Sequence, residues 1–369
     1  MSTVLVYVAD QDPSTTSSKG ILNATRLLIR EMARVAAPPG FRVVVLVAEG
    51  NHSLFAPSSP PAWMEVDALP GPARGGGLAR LRCDHVEVLR AARRHGARVV
   101  HFPKGWIPWR KPGGLRYLAT LHDAIPEYYD RHYPGWQPWL KRAYFRWNLR
   151  HSLRRSDRVL TDSEASRVDL QNLAPASARR LQVVYLGPGL DPAPPAAERS
   201  GLLVLGSRQP HKATRLTLAL LAANPLGRAG EPVRVAGLAG WPAEWGTPPA
   251  LPGLEWLGKI SDEALAREYA RTRALVLLSE IEGFGLPALE AVLSGAAVCY
   301  RDVSSVGEIM RGAPGGWDGR DEASFPAALD QALQAPSGDW AAVRTRMESE
   351  CSWDGAAGRV LQAYRDLLV

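Results

Sequence analysis

The chain has 369 residues, of which 46% are hydrophobic and 22% are charged, a composition typical of a folded globular protein and not of a disordered one. Three widely spaced cysteines form no CxxC pair, which excludes a disulfide framework and a zinc site built from cysteine pairs. No stretch approaches eighteen consecutive apolar residues and the first ten residues lack a leader pattern, so we expect a cytoplasmic protein.

The length allows two domains of about 180 residues each, and the charge differs between the two halves. Residues 1–185 contain 27 Lys and Arg against 15 Asp and Glu, whereas the remainder contains 17 against 22. A basic half indicates an anionic partner, which would be a phosphorylated acceptor, an acidic membrane surface or nucleic acid. The alternative is that the arginines are solvent-exposed surface residues without a specific partner. Charge alone leaves both interpretations open.

The N-terminal elements predict a strand–loop–helix segment whose helix start could bind a phosphate group. Residues 3–9 form a buried strand pattern, a Ser-rich loop follows, and Lys19 and Gly20 precede a helix with apolar residues at helical spacing. A helix start after such a loop favours phosphate. A second strand is predicted over 41–48, and the Pro- and Gly-rich stretch 56–77 is predicted to be a loop.

Polar side chains follow the next two predicted strands. His101 closes a strand over 98–101, and His122 and Asp123 come directly after a strand over 117–121. Ligands of open parallel sheets gather at the carboxyl ends of the strands. These side chains are therefore candidates for a binding site, although a lone histidine is more often structural.

A helix predicted over 139–155 interleaves aromatic and basic side chains. Four arginines recur every four residues and predict a basic stripe along one helix face: Arg142, Arg146, Arg150 and Arg154. A basic helix with aromatics can lie on an anionic membrane, and it can also contact nucleic-acid phosphates. The plainer interpretation is a solvated helix that packs its aromatic residues inward.

The second half opens with a candidate diphosphate site. A proline-rich stretch over 188–198 is predicted to link two domains. A strand then begins at Gly201, and the loop after it carries Arg208, His211 and Lys212 before a helix starts. A lysine at such a position can neutralise a diphosphate without a metal ion.

The stretch 274–300 predicts a strand, a Gly-rich loop, a helix and a second strand, which is the repeating unit of a parallel sheet. The loop contains Gly283 and Gly285, and no Ser, Thr, Asp or Asn stands before the helix to cap its free N–H groups. Uncapped amides at the positive end of a helix dipole favour phosphate. Glu282 and Glu290 bracket the loop, and their carboxylates are suited to hydroxyl groups of a sugar or a ribose.

Residues 282–290, EGFGLPALE, resemble the E-x7-E signature of the family-4 retaining glycosyltransferases, which have the GT-B fold. The segments 122–126 (HDAIP), 158–167 and 304–308 (SSVGE) are similar to further motifs of that family. The resemblance extends over nearly the whole chain.

Three positions depart from the family pattern. His211 stands where an arginine is usual, Lys19 replaces a glycine beside Gly20, and Ala297 replaces a proline. With His211 in place of the arginine, we expect weaker binding of a diphosphate, or binding by Arg208 in its place.

The resemblance implies an α/β protein of the GT-B fold, with two Rossmann-like parallel-sheet domains facing across a cleft. The acceptor-side domain is expected over 1–187, the linker over 188–198 and the domain that binds the nucleotide-sugar donor over 199–352. The C-terminal helix, 353–369, is expected to return to the first domain.

The family's site residues carry over to matching positions here. Lys212 is expected to hold the donor diphosphate, Glu282 the sugar hydroxyls and Glu290 the ribose, with His122 near the reacting carbon. The catalytic residues implied are His122, Lys212 and Glu282. The implied donor contacts are Gly20, Arg208, His211, Lys212, Ile260, Glu282, Gly283, Phe284, Gly285, Leu286 and Glu290.

The implied reaction moves a sugar from a nucleotide diphosphate to an acceptor hydroxyl with retention at the anomeric carbon. The resemblance implies no cofactor and no essential metal. A cell-surface glycan is the favoured acceptor, with a small secondary metabolite as the alternative. A nucleotide-sugar 2-epimerase and a non-catalytic sugar-nucleotide-binding protein are alternatives from other classes.

The expected partners are the donor and a glycan, lipid-linked or small-molecule acceptor, and nucleic acid is not expected. The basic helix 139–155 favours a lipid-linked glycan and peripheral contact with an anionic membrane. Two locations stay open, free in the cytoplasm or at the inner face of the membrane. The loops 56–77 and 104–114 are expected to select the acceptor.

Overall fold

A computed structural model describes residues 2–12, 19–36, 40–69, 77–194, 196, 198–224 and 231–369. The chain divides into two compact units. Unit 1 consists of Met1–Gly187 and Ser352–Val369, and unit 2 of Pro188–Cys351. The expected roles of the two units in binding acceptor and donor stay predictions.

Unit 1 is built on a parallel sheet. The described part of this unit contains seven strands: β1 (Ser2–Tyr7), β2 (Phe41–Ala48), β3 (Met64–Leu69), β4 (Ala97–Phe102), β5 (Arg116–Thr120), β6 (Arg158–Thr161) and β7 (Leu181–Val183). Their order is β3-β2-β1-β4-β5-β6-β7, and all pairs are parallel. The direction of strand order therefore changes between β1 and β4, where open α/β sheets bind ligands.

Helices cover both faces of this sheet, which is why its strands read as continuous apolar runs. In chain order they are α1 (Lys19–Met32), α2 (His52–Phe55), α3 (Gly77–Arg82), α4 (Val88–Arg94), α5 (Ile125–His132), α6 (Trp139–Arg155) and α7 (Glu164–Leu173). A π-helical turn, Cys83–Glu87, joins α3 to α4. Along β1, Val4 and Val6 enter one core cluster with α1, whereas Leu5 and Tyr7 enter another with α4.

Unit 2 repeats the plan with a smaller parallel sheet. The residues described there form six strands: β8 (Leu202–Leu205), β9 (Val233–Ala236), β10 (Leu254–Gly258), β11 (Ala274–Leu277), β12 (Ala297–Arg301) and β13 (Gly316–Trp317). The order β10-β9-β8-β11-β12-β13 changes direction between β8 and β11. The loops after these two strands carry the predicted diphosphate and sugar contacts.

The helices of unit 2 are α8 (Thr214–Ala223), α9 (Asp262–Arg271), α10 (Leu286–Leu293), α11 (Ser304–Ile309), α12 (Phe325–Gln334) and α13 (Ser337–Glu350). The predicted helix after the Gly-rich loop is α10, which begins at the expected residue. Two parallel-sheet α/β units of this kind confirm the predicted fold class.

The C-terminal helix, α14 (Trp353–Leu368), packs in unit 1 as predicted. Ser352 caps it by accepting a hydrogen bond from the Gly355 N–H at 3.1 Å. Tyr364 is fully buried, and its hydroxyl lies 2.7 Å from Nδ1 of His101 at the end of β4. Helix α14 thus supplies part of the core on the α1 face of the sheet.

The prediction that 56–77 is a loop is wrong for its central part, which forms β3 at the edge of the sheet. Prolines and glycines on both sides suggested a loop, but Met64–Leu69 contains neither and pairs with β2. Residues 70–76 of that prediction lie outside the described residues.

The predicted arginine stripe on α6 is also corrected. Arg142 and Arg146 pair with Asp130, and Arg150 lies 3.4 Å from Glu127. Both acids belong to α5, so three of the four arginines pair with carboxylates of the neighbouring helix. In the parts of the chain described, no helix is long and apolar enough to cross a membrane.

Candidate active site

The loop between β11 and α10 is held tightly against α11. Gly285 has a φ of 96°, in the left-handed region, and immediately precedes the helix. A Cβ on this residue would lie 3.0 Å from Cδ1 of Ile309 and 3.3 Å from Cγ2 of Val306. Glycine is therefore required by both the backbone angle and the close packing.

No side chain caps the first turn of α10, as the sequence predicted. Pro287 has no N–H to donate, and it occupies a position where that loss has little cost. The first turn therefore presents the Leu286 amide and the positive end of the helix dipole beside the loop. This is a suitable place for an anionic or strongly polar ligand group.

Lys212 and Glu282 form a two-pronged ion pair in unit 2. Nζ of Lys212 lies 2.6 Å and 2.8 Å from the two carboxylate oxygens of Glu282. Burial alone would raise the pKa of Glu282, but the Lys212 ammonium holds it below its ordinary value. Glu282 therefore stays ionised although its side chain is only 9% exposed, whereas that of Lys212 is 26% exposed.

The backbone of Glu282 is fixed by the start of α11. Oγ of Ser305 donates to the Glu282 carbonyl at 2.8 Å, and Oγ of Ser304 approaches the same oxygen at 3.3 Å. This contact explains why the serine-rich segment at 304–308 accompanies the Gly-rich loop. It fixes the backbone of the residue whose side chain binds Lys212.

His211 does not supply a positive charge at the arginine position. Burial, together with the neighbouring Lys212 charge, lowers its pKa to about 4. His211 is therefore neutral near pH 7, and its carbonyl accepts a hydrogen bond from the Glu280 N–H at 2.7 Å. Arg208 is a cation, but it is 64% exposed and pairs with Glu244 at 3.3 Å.

Glu290 lies one turn into α10 and is buried. Its Oε1 accepts a hydrogen bond from the Gly189 N–H at 3.0 Å. Burial raises the pKa of Glu290 to about 7, so the two glutamates that bracket the loop differ in charge state near neutral pH. Tyr269 of α9 lies beside it, and burial together with the Glu290 charge raises the pKa of the tyrosine.

The other predicted donor contacts occupy varied positions. Phe284 is buried, Gly283 and Leu286 are half-buried, and Ile260 is half-buried just after β10. Gly20 lies in the first turn of α1, is exposed and has open space where a Cβ would stand. Gly20 is therefore not required by packing within unit 1.

In unit 1, both ring nitrogens of the His122 side chain are engaged by partners within the unit. Nδ1 lies 2.7 Å from Oδ2 of Asp162, and Nε2 lies 2.9 Å from the carbonyl of Pro103. Burial alone would lower the pKa of His122, but the Asp162 carboxylate and its hydrogen bond raise it to about 9. The ring is therefore an imidazolium that donates both protons to these partners.

The sequence singled out His122 but not Asp162, which follows β6 some forty residues later. The detectable signal was the similarity of the segment 158–167 to a family motif, which placed a polar residue at that strand end. The same edge of the sheet holds Lys104, whose Nζ donates to the carbonyl of Asp10 at 3.1 Å. Burial raises the pKa of Asp10 to about 6, although Lys104 opposes the shift.

The structure thus gathers Lys212, His211 and Glu282 at the β8 and β11 loop ends, with Glu290 on the adjoining helix. Among the residues that the structure describes, no cluster of three His, Cys, Asp or Glu side chains is arranged to hold a metal ion. The expectation of metal independence stays a prediction.

Comparison with known proteins identifies the family. The model described as Glycosyltransferase Family 4 matches residues 26–191, and the model described as Glycosyl transferases group 1 matches residues 251–337. Together the two models match well over half of the chain, and each match falls mainly within one of the two units.

Among curated proteins, the chain is similar to the O-antigen chain mannosyltransferase B of Escherichia coli, with 28% identity over 296 residues, 72% of this chain and 74% of that protein. It is also similar to the serotype-specific mannosyltransferase WbdA of Escherichia coli, with 36% identity over 123 residues, 31% of this chain and 15% of that protein.

Among solved structures, the fold is similar to that of sucrose-phosphate synthase from Thermosynechococcus elongatus, with a TM-score of 0.72 and 19% identity, covering 100% of this chain and 99% of the other. At that identity the likeness shows the fold alone. With both family models and a GT-B neighbour in agreement with the two parallel-sheet units, the chain belongs to the family-4 glycosyltransferases of the GT-B fold.

Proposed function

We propose that this glycosyltransferase is a retaining, metal-independent mannosyltransferase that uses a nucleoside diphosphate sugar and extends a cell-surface polysaccharide. The sugar and the type of product are suggested by the two relatives named as mannosyltransferases, one of them for an O-antigen chain. The single observation that carries the proposal is the Lys212–Glu282 pair beside the uncapped start of α10.

Donor binding uses the part of Lys212 that Glu282 leaves accessible. An ammonium group has three N–H donors, and two carboxylate oxygens engage Lys212 on one side. The side chain is 26% exposed, so a diphosphate oxygen can approach without breaking the pair. The Leu286 amide and the α10 dipole add to the attraction for negative charge.

The reaction requires no separate general base. The bond between the sugar C1 and the β-phosphate oxygen breaks, and a bond from C1 to the acceptor oxygen forms on the same face. The acceptor hydroxyl proton passes to the departing phosphate oxygen. Lys212 stabilises the negative charge that grows on that phosphate, which is where electrostatic catalysis has its largest effect.

The two glutamates bind hydroxyl groups in this proposal. Glu282, held ionised by Lys212, accepts hydrogen bonds from the sugar, and Glu290 accepts them from the ribose. His122 cannot act as a base while both ring nitrogens donate to Asp162 and Pro103, so its contribution is positive charge and shape. Arg208, His211, Ile260 and the backbone of 283–286 complete the proposed donor contacts of unit 2.

A non-catalytic sugar-nucleotide-binding protein is a second candidate, favoured by one observation. His211 is neutral at the position where the family usually has an arginine, so the leaving phosphate has one positive charge fewer. Such a protein would bind a nucleotide sugar and leave it intact.

Thermal unfolding with GDP, UDP, TDP, CDP and ADP tests donor binding. A nucleotide at a hundred times its dissociation constant stabilises the fold by about 2.7 kcal/mol. We expect one base to stabilise the wild type and the Arg215→Ala variant, and the effect to collapse in Lys212→Ala. Arg215 is the matched control because it is an exposed cation on α8 three residues after Lys212. Stabilisation by none of the five would contradict the donor site.

Turnover then separates the candidates. The nucleoside diphosphate mannose of the stabilising base is incubated with a mannose-terminated oligosaccharide, and the product is analysed by NMR. An α-configured product from an α-configured donor supports retention, and an unchanged rate in EDTA supports metal independence. Binding without turnover on a panel of such acceptors favours the binding protein, and conversion without acceptor favours an epimerase.

A further inference from the structure

The exposed aromatic side chains of this protein are concentrated in one place. Every large aromatic residue that is exposed in the described structure lies on α6 or close to it in unit 1: Trp109, Trp136, Trp139, Tyr144 and Trp147. Leu140 adds a further apolar side chain that is 64% exposed. A cluster of exposed apolar groups of this kind marks a site of interaction.

Helical spacing places the apolar and basic groups of α6 on one outward face, the docking face. Leu140, Tyr144 and Trp147 occupy its first half, and His151, Arg154 and Arg155 continue the same face to the helix end. The opposite side of the helix is buried through Leu149 and Leu153. The docking face is therefore aromatic at one end and cationic at the other.

The charge of this face is not cancelled by α6 itself, which contains no acidic residue. Arg142, Arg146 and Arg150 are directed at the acids of α5, as described above. Among the residues described, Arg154 and Arg155 have no carboxylate within ion-pair distance. They line a surface groove of about 440 Å³ together with Trp147, His151 and the acid-paired Arg146 and Arg150.

The aromatic end is also pre-ordered. Trp147 stacks on His151 with ring centroids 4.8 Å apart, and Trp109 meets Trp147 edge-on at 6.1 Å. Trp109 in turn stacks on His85 at 4.1 Å. Exposed rings held in place by one another lose little side-chain freedom when they bind a partner.

We propose that the docking face of α6 binds an anionic phospholipid surface, with the aromatic end in the interfacial layer and Arg154 and Arg155 at the lipid phosphates. Trp and Tyr favour the membrane–water interface, and guanidinium groups bind phosphate oxygens. Basic residues next to apolar ones are the pattern of interfacial helices. The proposal goes beyond the sugar-transfer reaction, because it concerns where the enzyme works.

Sedimentation of the whole chain with vesicles tests the proposal. We expect partitioning to vesicles that contain phosphatidylglycerol and much weaker partitioning to phosphatidylcholine alone. Arg154→Gln with Arg155→Gln is expected to reduce partitioning by about 25-fold, since each basic residue near an anionic surface contributes about fivefold. Leu140→Ser with Tyr144→Ser is expected to reduce it by roughly tenfold or more.

Two control substitutions lie on other exposed elements. Arg215→Gln removes a cation from α8, and Val168→Ser removes an exposed apolar side chain from α7. Both are expected to leave vesicle partitioning unchanged, and all variants are expected to keep the nucleotide-induced thermal shift. A failure of donor binding is therefore distinguishable from a failure of lipid binding.

The proposal is overturned if the wild type does not sediment with anionic vesicles, or if the docking-face variants partition as the controls do. It is also overturned if Leu140→Ser with Tyr144→Ser changes the oligomeric state in light scattering and leaves vesicle partitioning intact. The face would then be a contact between proteins and not a lipid-binding surface.

Discussion

Each unit has an ion pair formed by residues that follow two neighbouring strands of its sheet, and the two pairs differ in how much of the cation is accessible. In unit 1, His122 is 10% exposed and Asp162 is 5% exposed, and both ring nitrogens are engaged. In unit 2, Lys212 is 26% exposed while Glu282 is 9% exposed. A closed pair fixes a fold and a local charge, whereas a pair with an accessible cation can also receive an anionic ligand.

This difference assigns separate roles to Lys212 and His122, which were both expected from the sequence to be catalytic. Lys212 retains donor capacity for a ligand, and we infer that its removal acts on the reaction. His122 has no free ring nitrogen, and we infer that loss of its partner acts on the stability of unit 1. Three predictions test this contrast.

The largest effect is expected for Lys212→Ala on turnover. Removing a group that stabilises charge in a transition state typically reduces kcat by about 10²–10³-fold. We expect a reduction of that size in sugar-transfer assays under saturating donor. Arg215→Ala is the matched control and is expected to retain the wild-type rate. Equal loss in both variants would show that charge near α8, and not the Lys212 position, controls the rate.

The next effect is expected for Asp162→Asn on the stability of unit 1. The pKa of His122 is raised in the fold to about 9 from an ordinary 6.5, which corresponds to a stabilisation on the order of 3 kcal/mol. A raised histidine pKa stabilises fully below pH 6.5, and the contribution is lost as the pH rises through about 9. Urea unfolding is therefore expected to show a large deficit for the variant at pH 6 and a smaller one at pH 10.

Asp339→Asn provides the control for this substitution, because Asp339 is exposed in the first turn of α13. Its expected effect is within about 0.5 kcal/mol at either pH. A deficit of Asp162→Asn that does not change with pH would contradict the charge assigned to His122.

The smallest effect is expected in the pH dependence of nucleotide binding. The pKa of Glu290 is raised to about 7, whereas that of Glu282 is lowered. Of these two glutamates, only Glu290 therefore changes charge between pH 6 and pH 8. A protonated carboxyl accepts fewer hydrogen bonds from ribose. We expect the dissociation constant to rise by less than tenfold per pH unit as the pH falls below 7.

Calorimetry on wild type and Glu290→Gln isolates this contribution, because the nucleotide's own titration is common to both proteins. The variant is expected to lack the Glu290 part of the pH dependence. Identical pH profiles for the two proteins would remove Glu290 from the set of titrating donor contacts.

The sequence predicted the loop at 282–290 well because its signals are local. A Gly-rich loop, a helix start without a cap and two carboxylates are visible within nine residues. The two-unit fold was predictable for a similar reason, since strands buried on both faces read as continuous apolar runs.

The parts that the sequence did not predict depend on contacts between distant residues. Asp162 is the partner of His122 across two neighbouring strands, and no local pattern gives that pairing. The pairing of Arg142 and Arg146 with Asp130 was not predicted because this acid lies on the preceding helix. Strand β3 was missed because flanking prolines outweighed a short edge strand that depends on β2 for its hydrogen bonds.

The packing of α14 in unit 1 has a consequence for how the protein is made. The Tyr364 hydroxyl and His101 are hydrogen-bonded across 263 residues, so the α1 face of the unit 1 sheet lacks the part of its cover that α14 supplies while all of unit 2 is synthesised. A nascent chain leaves the ribosome N-terminus first, so unit 2 can fold before unit 1 is complete. Unit 1 is therefore the first unit to begin synthesis and the last to be completed. Removal of the last turns of α14 would expose part of the core of unit 1.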